Sequence, residues 1–288
     1  MKSVFIAIND MEGGGAQRSL LSFLECFAKS GDIHKYSIDL MVFRPVGMFI
    51  GRIPKEINVL KTPKDVLWMG SELNGGLIFK NFGFKEFMGK VKWQVKKYSD
   101  RLNEEQKLWE NWKDIVSENP KEYDVAISYM NGCPNYYVVD KVKAKKKVLW
   151  IHNEYKKIGY DKDYDQRFYE AADEVITISD ICVESFAESF PNMREKVSVL
   201  ENITINDEIF SLAEKGSSPE FGNAEFKIVS VGSVREQKAY DKAVLASFYL
   251  KKRGIDFVWV IIGGGDAKSL IRLADEKGLS KNIIFAGA

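Results

Sequence analysis

Short β-type runs alternate with helical patterns along nearly the whole chain, and that alternation constrains its fold more than any other feature. A strand that returns parallel to its predecessor needs a crossover of a dozen or more residues, which a helix supplies. The pattern therefore specifies an α/β chain built on parallel sheets. Residues 4–8 read as a buried strand and Gly13-Gly14-Gly15 as the turn after it. Residues 16–29 read as a helix, with Leu20, Leu21, Leu24, Phe27 and Ala28 at helical spacing. Further strands are expected at residues 37–43, 125–129, 148–151, 175–178 and 197–200, with a helix at 181–190 stopping at Pro191.

Small and polar residues dominate from Asn202 to Glu225, with breakers at Gly216-Ser217-Ser218-Pro219 and Gly222-Asn223. This places a first domain at 1–205, a linker at 206–223 and a second domain at 224–288. The second series is expected as strand 228–231, helix 239–252, strand 257–262, helix 268–277 and strand 283–285. Three strands are half of a doubly wound sheet, so the second domain is expected to be incomplete.

The 288 residues carry a formal charge of +1, which makes the molecule a poor electrostatic trap for nucleic acid. The charge is uneven: 24 Lys+Arg stand against 18 Asp+Glu over residues 1–150, and 18 against 23 over the remainder. Cys26, Cys133 and Cys182 are scattered and odd in number, which suits free thiols in a reducing compartment. The first apolar run ends at Asn9-Asp10, too early for a secretory leader, and no run approaches the ~20 residues that span a bilayer. A cytoplasmic location is expected. Within residues 79–98, Phe84, Phe87, Met88, Val91, Val95 and Tyr98 share a helical face, with Lys85, Lys92, Lys96 and Lys97 away from it. Such a helix suits either peripheral contact with an anionic membrane or simple packing on the core. The run Lys141–Lys147 poses the same choice between an anion surface and a solvated face.

Four glycine- or histidine-bearing turns follow strands, where ligands bind in open α/β sheets. Gly13, Gly14 and Gly15 precede a helix whose N-terminus favours an anion. Arg18 replaces the third glycine of a dinucleotide fingerprint, and Asp39 lies inside the second strand instead of at its end, so nicotinamide cofactors are disfavoured. Trp150-Ile151-His152-Asn153 puts one of the two histidines at a strand end, able to hydrogen-bond a sugar hydroxyl or to handle a proton. Gly232, Ser233, Arg235 and Lys238 leave a strand and set two cations ahead of a helix, which suits a diphosphate. Gly264, Gly265 and Asp266 close the next strand. Each turn is also compatible with an ordinary βα connection. Asp161, Asp163 and Asp165 imitate a D-x-D metal motif but bring too few oxygen ligands, and no metal site is expected.

The order Gly-Gly-Gly-Ala-Gln-Arg-Ser-Leu-Leu, Tyr-Asp-Val-Ala-Ile-Ser-Tyr, Trp-Ile-His-Asn, Val-Ile-Thr-Ile-Ser and Val-Gly-Ser-Val-Arg-Glu-Gln-Lys resembles glycosyltransferase family 4 over nearly the whole chain. Its closest-looking members build capsule, lipopolysaccharide and exopolysaccharide. The resemblance implies a GT-B fold: two Rossmann-like doubly wound domains, the second incomplete here. It implies a retaining transfer from a nucleotide-sugar, a UDP-sugar by preference, to a saccharide or lipid-linked saccharide, with no cofactor and no metal. His152 then lies beside the transferred sugar, Gly13–Gly15 line the cleft near the donor phosphate and the acceptor, Lys238 neutralises the donor diphosphate, and Gly264, Gly265 and Asp266 lie near the base. The family pattern has Gly-Arg at 232–233 and Lys-Gly at 238–239. This chain has Ser233 and Ala239, and Arg235 is the candidate substitute cation. The family's paired glutamates are expected after Gly287, so the sequence reads as truncated. The alternatives are a non-catalytic fragment of the same fold acting as a binding module, and a sugar-nucleotide epimerase.

Overall fold

A computed structural model describes residues 1–69, 101–216 and 219–287. The basic amphipathic segment at 79–98 lies outside the described residues. The chain divides into two units, Met1–Ile205 and Asn206–Ala288.

Unit 1 begins with β1 (Lys2–Ile8), α1 (Gly15–Lys29), β2 (Tyr36–Val42), β3 (Asn58–Val59) and α2 (Lys64–Met69). It continues with α3 (Glu104–Trp112), β4 (Glu122–Ser128), α4 (Cys133–Lys141), β5 (Lys143–Ile151), α5 (Tyr155–Ile158), α6 (Lys162–Ala171), β6 (Glu174–Thr177), α7 (Asp180–Ser189) and β7 (Val197–Val199). The seven strands form one parallel sheet in the order β3-β2-β1-β4-β5-β6-β7. Val4 of β1 sits opposite Ile38 of β2 on one side and Val125 of β4 on the other. The chain thus winds outward from β1, then returns to β4 and winds the other way, so the topology switches between β1 and β4.

Strand parity sorts the core. Phe5 and Ala7 of β1, with Leu149 and Ile151 of β5, pack on one face against Trp109 and Trp112 of α3, Tyr136 and Tyr137 of α4, and Phe168 of α6. Val4, Ile6 and Ile8, with Val148 and Trp150, face the other way onto Leu20, Leu21 and Leu24 of α1. Both faces are apolar because helices cover both, which is why the strands read as continuous hydrophobic runs. Asp39 is buried in β2 and accepts hydrogen bonds from Asn58, Lys121 and Tyr123. Burial alone would raise its carboxyl, but these three donors hold it below the usual range.

The basic run has a structural explanation. Residues 143–147 are the first half of β5, which starts earlier than its apolar residues suggest. Lys145 pairs with Asp124, Lys146 with Glu174, and Lys147 donates to the Val139 carbonyl.

Unit 2 comprises α8 (Asn206–Lys215), β8 (Phe226–Val231), α9 (Tyr240–Lys252), β9 (Phe257–Ile262), α10 (Lys268–Glu276) and β10 (Ile283–Gly287). Its three parallel strands lie in the order β10-β9-β8. The stretch read as a polar linker opens with α8, whose last turn carries Lys215, a cation placed to suit the helix dipole. The core of unit 2 is small, centred on Tyr240, Val244, Ile261, Ala274, Leu279 and Ile283. Val229 and Val231 of β8 and Ile284 of β10 stay exposed on the sheet.

Candidate functional site

The carboxyl ends of β1, β4, β5, β6 and β7 surround a cavity of ≈ 410 Å³ in unit 1. Gly15, Ala16 and Gln17 from the start of α1 line it, with Met130 and Asn131 after β4, His152 and Asn153 after β5, Ile178, Asn202, and Glu105 of α3. It lies at the topological switch, where ligands of doubly wound sheets collect. A larger cavity of ≈ 670 Å³ opens at the opposite, amino ends of the strands, beside Ser3, Glu122, Asp124 and Lys143. Lys145 there pairs with Asp124, and the smaller cavity is the better candidate because helix N-termini and turn residues converge there.

Each glycine of the first turn has a different reason. A side chain at Gly14 would lie 2.2 Å from Gln17 Oε1, and Gln17 is held by Asp10, its Nε2 donating at 2.8 Å. A side chain at Gly13 would touch the Met48 sulfur at 3.3 Å. A side chain at Gly15 meets nothing within 4 Å, and Gly15 faces the cavity. Gly14 caps α1 without a side-chain hydrogen bond, so the first-turn N–H groups keep their donor capacity.

His152 is fixed on its inner side. Its Nε2 lies 3.0 Å from the Tyr129 carbonyl oxygen, which can only accept, so Nε2 carries the proton. Its ring packs on Tyr129 and Trp150. Nδ1 is left as a lone-pair acceptor, buried and without a partner among the described residues. Burial lowers the imidazole pKa to about 4, against a smaller opposing effect of the Tyr129 contact. At neutral pH His152 is therefore an uncharged hydrogen-bond acceptor, and of the two chemistries expected for it the geometry favours hydroxyl recognition over proton transfer.

In unit 2 the two remaining turns lie side by side. Gly232 N donates to Ile262 O, Val234 N donates to Gly264 O, and Val234 bridges to Gly265. A side chain at Gly263 would fall 2.0 Å from Gly232 O, and one at Gly265 would fall 2.5 Å from Val234 O. These glycines are required by the close approach of two backbones, an explanation independent of any nucleotide. Ser233 belongs to the same contact. Arg235 and Lys238 are exposed at the ends of a short 3₁₀ turn, and the Lys238 stem runs beside Gly232. Asp266 accepts from Lys268 N at 2.9 Å, closing a turn ahead of α10. His152 and Lys238 thus lie in different units.

The D-x-D acids have separate structural partners. Asp161 caps α6 and meets Arg101, Asp163 also meets Arg101, and Asp165 is buried beneath Gln106, Tyr136 and Tyr155. Asp163 and Asp165 fall inside α6, because the Asp161 cap starts the helix there.

Gln17 and Asn153 of the lining stand inside the sequence motifs without an assigned role, and Glu105, Asn131 and Asn202 lie outside every motif. One signal was available for Glu105. Asn103 and Gln106 form a reciprocal capping box, which puts Glu105 in the first turn of a helix.

The architecture is that of the GT-B class, with two Rossmann-like units in one chain, the second contributing three strands. Within it, residues 214–288 match the family model described as glycosyl transferases group 1. No curated protein sequence matches the chain. Among solved structures, HepE from Anabaena in complex with UDP-glucose is similar at TM-score 0.56 and 13% identity, covering 100% of this chain and 69% of that one. WaaG, a glycosyltransferase involved in lipopolysaccharide biosynthesis, is similar at TM-score 0.54 and 14% identity, over 99% of this chain and 70% of that one. TarM gives TM-score 0.55 and 12% identity, over 100% and 76%. At such identities the likeness is one of fold. No helix among the described residues is long and apolar enough to cross a membrane.

Proposed function

We propose that the chain is a retaining glycosyltransferase that moves a sugar from a nucleotide donor, a UDP-sugar, to a saccharide or lipid-linked saccharide in surface polysaccharide synthesis. The observation that carries the reading is the unit 1 cavity: a helix start without a side-chain cap and a neutral histidine acceptor meet there, in a chain whose 214–288 segment matches group 1 glycosyl transferases. HepE was solved with UDP-glucose and WaaG acts in lipopolysaccharide biosynthesis, which favours the same donor and product class here.

In this reading His152 Nδ1 accepts from a hydroxyl of the transferred sugar, and Gly13–Gly15 with the α1 N-terminus approach an anionic part of the substrates. Lys238 and Arg235 balance charge on the departing diphosphate, with Gly232 and Ser233 shaping the turn, and Gly264, Gly265 and Asp266 lie toward the base. Stabilising the leaving group with preorganised cations and N–H donors needs neither a cofactor nor a metal. In this reading the protein works in the cytoplasm.

The test is UDP release from a panel of UDP-sugars, with and without saccharide acceptors. Lys238→Ala is expected to cut turnover by roughly 10²-fold or more, the scale set by losing one charge-stabilising donor. A rate that does not depend on Lys238 removes the diphosphate assignment. Consumption of the UDP-sugar without acceptor, giving an isomeric UDP-sugar, identifies an epimerase instead.

A further inference from the structure

The cavity contains one carboxylate whose position the local fold goes to some length to secure. Glu105 reaches the cavity from the first turn of α3, which the Asn103–Gln106 capping box fixes. Its Oε2 accepts from the Tyr160 hydroxyl, and Tyr160 in turn accepts from Asn131 Nδ2 at 3.1 Å. Space for the carboxylate comes from Gly132, which sits at φ +83°, a conformation that favours glycine. A side chain there would fall 1.5 Å from Glu105 Oε2. Burial pushes the Glu105 carboxyl upward, against the effect of Tyr160. Oε1 accepts no hydrogen bond among the described residues. A half-buried carboxylate with one oxygen tied down and one left over, on the wall of a cavity shared with four amides, an imidazole, a helix start, Met130 and Ile178, is an arrangement for gripping a hydrogen-bond donor.

We infer that Glu105 is a specificity-determining residue whose Oε1 accepts a hydrogen bond from one particular hydroxyl of a bound sugar, with Tyr160 as its positioning residue and Gly132 as the gap that admits it. This inference rests on reading the cavity as a sugar site. A hydroxyl bonded to a buried carboxylate is recognised individually, because the analogue lacking it leaves the carboxylate unpaired.

The 288-residue chain is titrated by saturation-transfer NMR with glucose, galactose, mannose and N-acetylglucosamine, then with the monodeoxy analogues of the sugar that binds. The wild type is expected to prefer the parent sugar over one monodeoxy analogue by roughly tenfold or more, the ratio typical of a hydrogen bond to a charged group. Glu105→Ala should abolish that preference while binding of the parent sugar remains detectable. Tyr160→Phe, which deletes one hydroxyl and retains the ring, should reduce it at the same position. Gly132→Ala should resemble Glu105→Ala, and thermal melts establish that each variant is folded. Undiminished discrimination in folded Glu105→Ala or Gly132→Ala overturns the assignment of Glu105 while leaving the sugar site standing. Absence of sugar binding to the wild type overturns both.

Discussion

His152 and Gly15 carry most of what can be tested one side chain at a time. The imidazole pKa is about 4 in the folded chain against 6.5 for the unperturbed group. Between those values the unfolded chain binds the extra proton, so stability falls as pH falls. The contribution is complete above pH 6.5 and is lost on descent toward pH 4, on the order of 3 kcal/mol at the extreme. Denaturant titrations of the wild type and His152→Gln across pH 4–7 should show the wild type losing stability faster on acidification. Parallel curves would mean that His152 is not the buried neutral group described. Gly15→Ala adds a methyl group that, outside its own helix turn, meets no atom of the described residues within 4 Å. It should leave the melting temperature within experimental scatter and weaken substrate binding. Gly14→Ala must displace Gln17 from Asp10 and should cost about 1 kcal/mol of stability. If Gly15→Ala binds substrate as the wild type does, close backbone approach at α1 is wrong.

At the scale of elements, the turn before α9 shows the chain departing from its own best geometry. Ala239 sits at φ +51°, ψ +43°, in the left-handed region, where the resembled family has glycine. An L-residue there costs about 1–2 kcal/mol, so Ala239→Gly should raise stability by about 1 kcal/mol, read from urea midpoints. A neutral or destabilising result would show that the turn relaxes elsewhere. The buried Asp165 tests the opposite case. It joins α3, α4 and α5 to α6 by accepting from Gln106, Tyr136 and Tyr155, and Asp165→Asn turns one acceptor toward a donor. A loss of 1–3 kcal/mol is expected, about the cost of an unsatisfied buried group, and a loss within error would contradict its role as a tie. Element identity was largely legible because apolar runs and helical spacing survive in a sheet covered on both faces. Starts were less so: β5 begins with lysines whose charges are met by Asp124 and Glu174, information held in neighbouring strands. Gly15 and His152 were legible as turn residues at strand ends. Glu105 and Asn131 were not, since only the fold brings α3 beside the end of β4.

For the whole molecule, the two units differ in what holds them. Unit 1 buries aromatic and aliphatic residues on both sheet faces, whereas unit 2 has a small core and leaves Val229, Val231 and Ile284 exposed. Calorimetry should therefore resolve two transitions, with unit 2 melting first. A single cooperative transition would show that the units depend on each other for stability. The central claim concerns what the chain binds. It is tested most directly by calorimetric titration of the 288-residue chain with UDP-glucose, UDP-galactose, UDP-N-acetylglucosamine and NAD. The account predicts saturable binding of at least one UDP-sugar, weakened by both Lys238→Ala and Gly15→Ala, and none of NAD. Binding of NAD in preference to every UDP-sugar, or UDP-sugar binding indifferent to both substitutions, would contradict it.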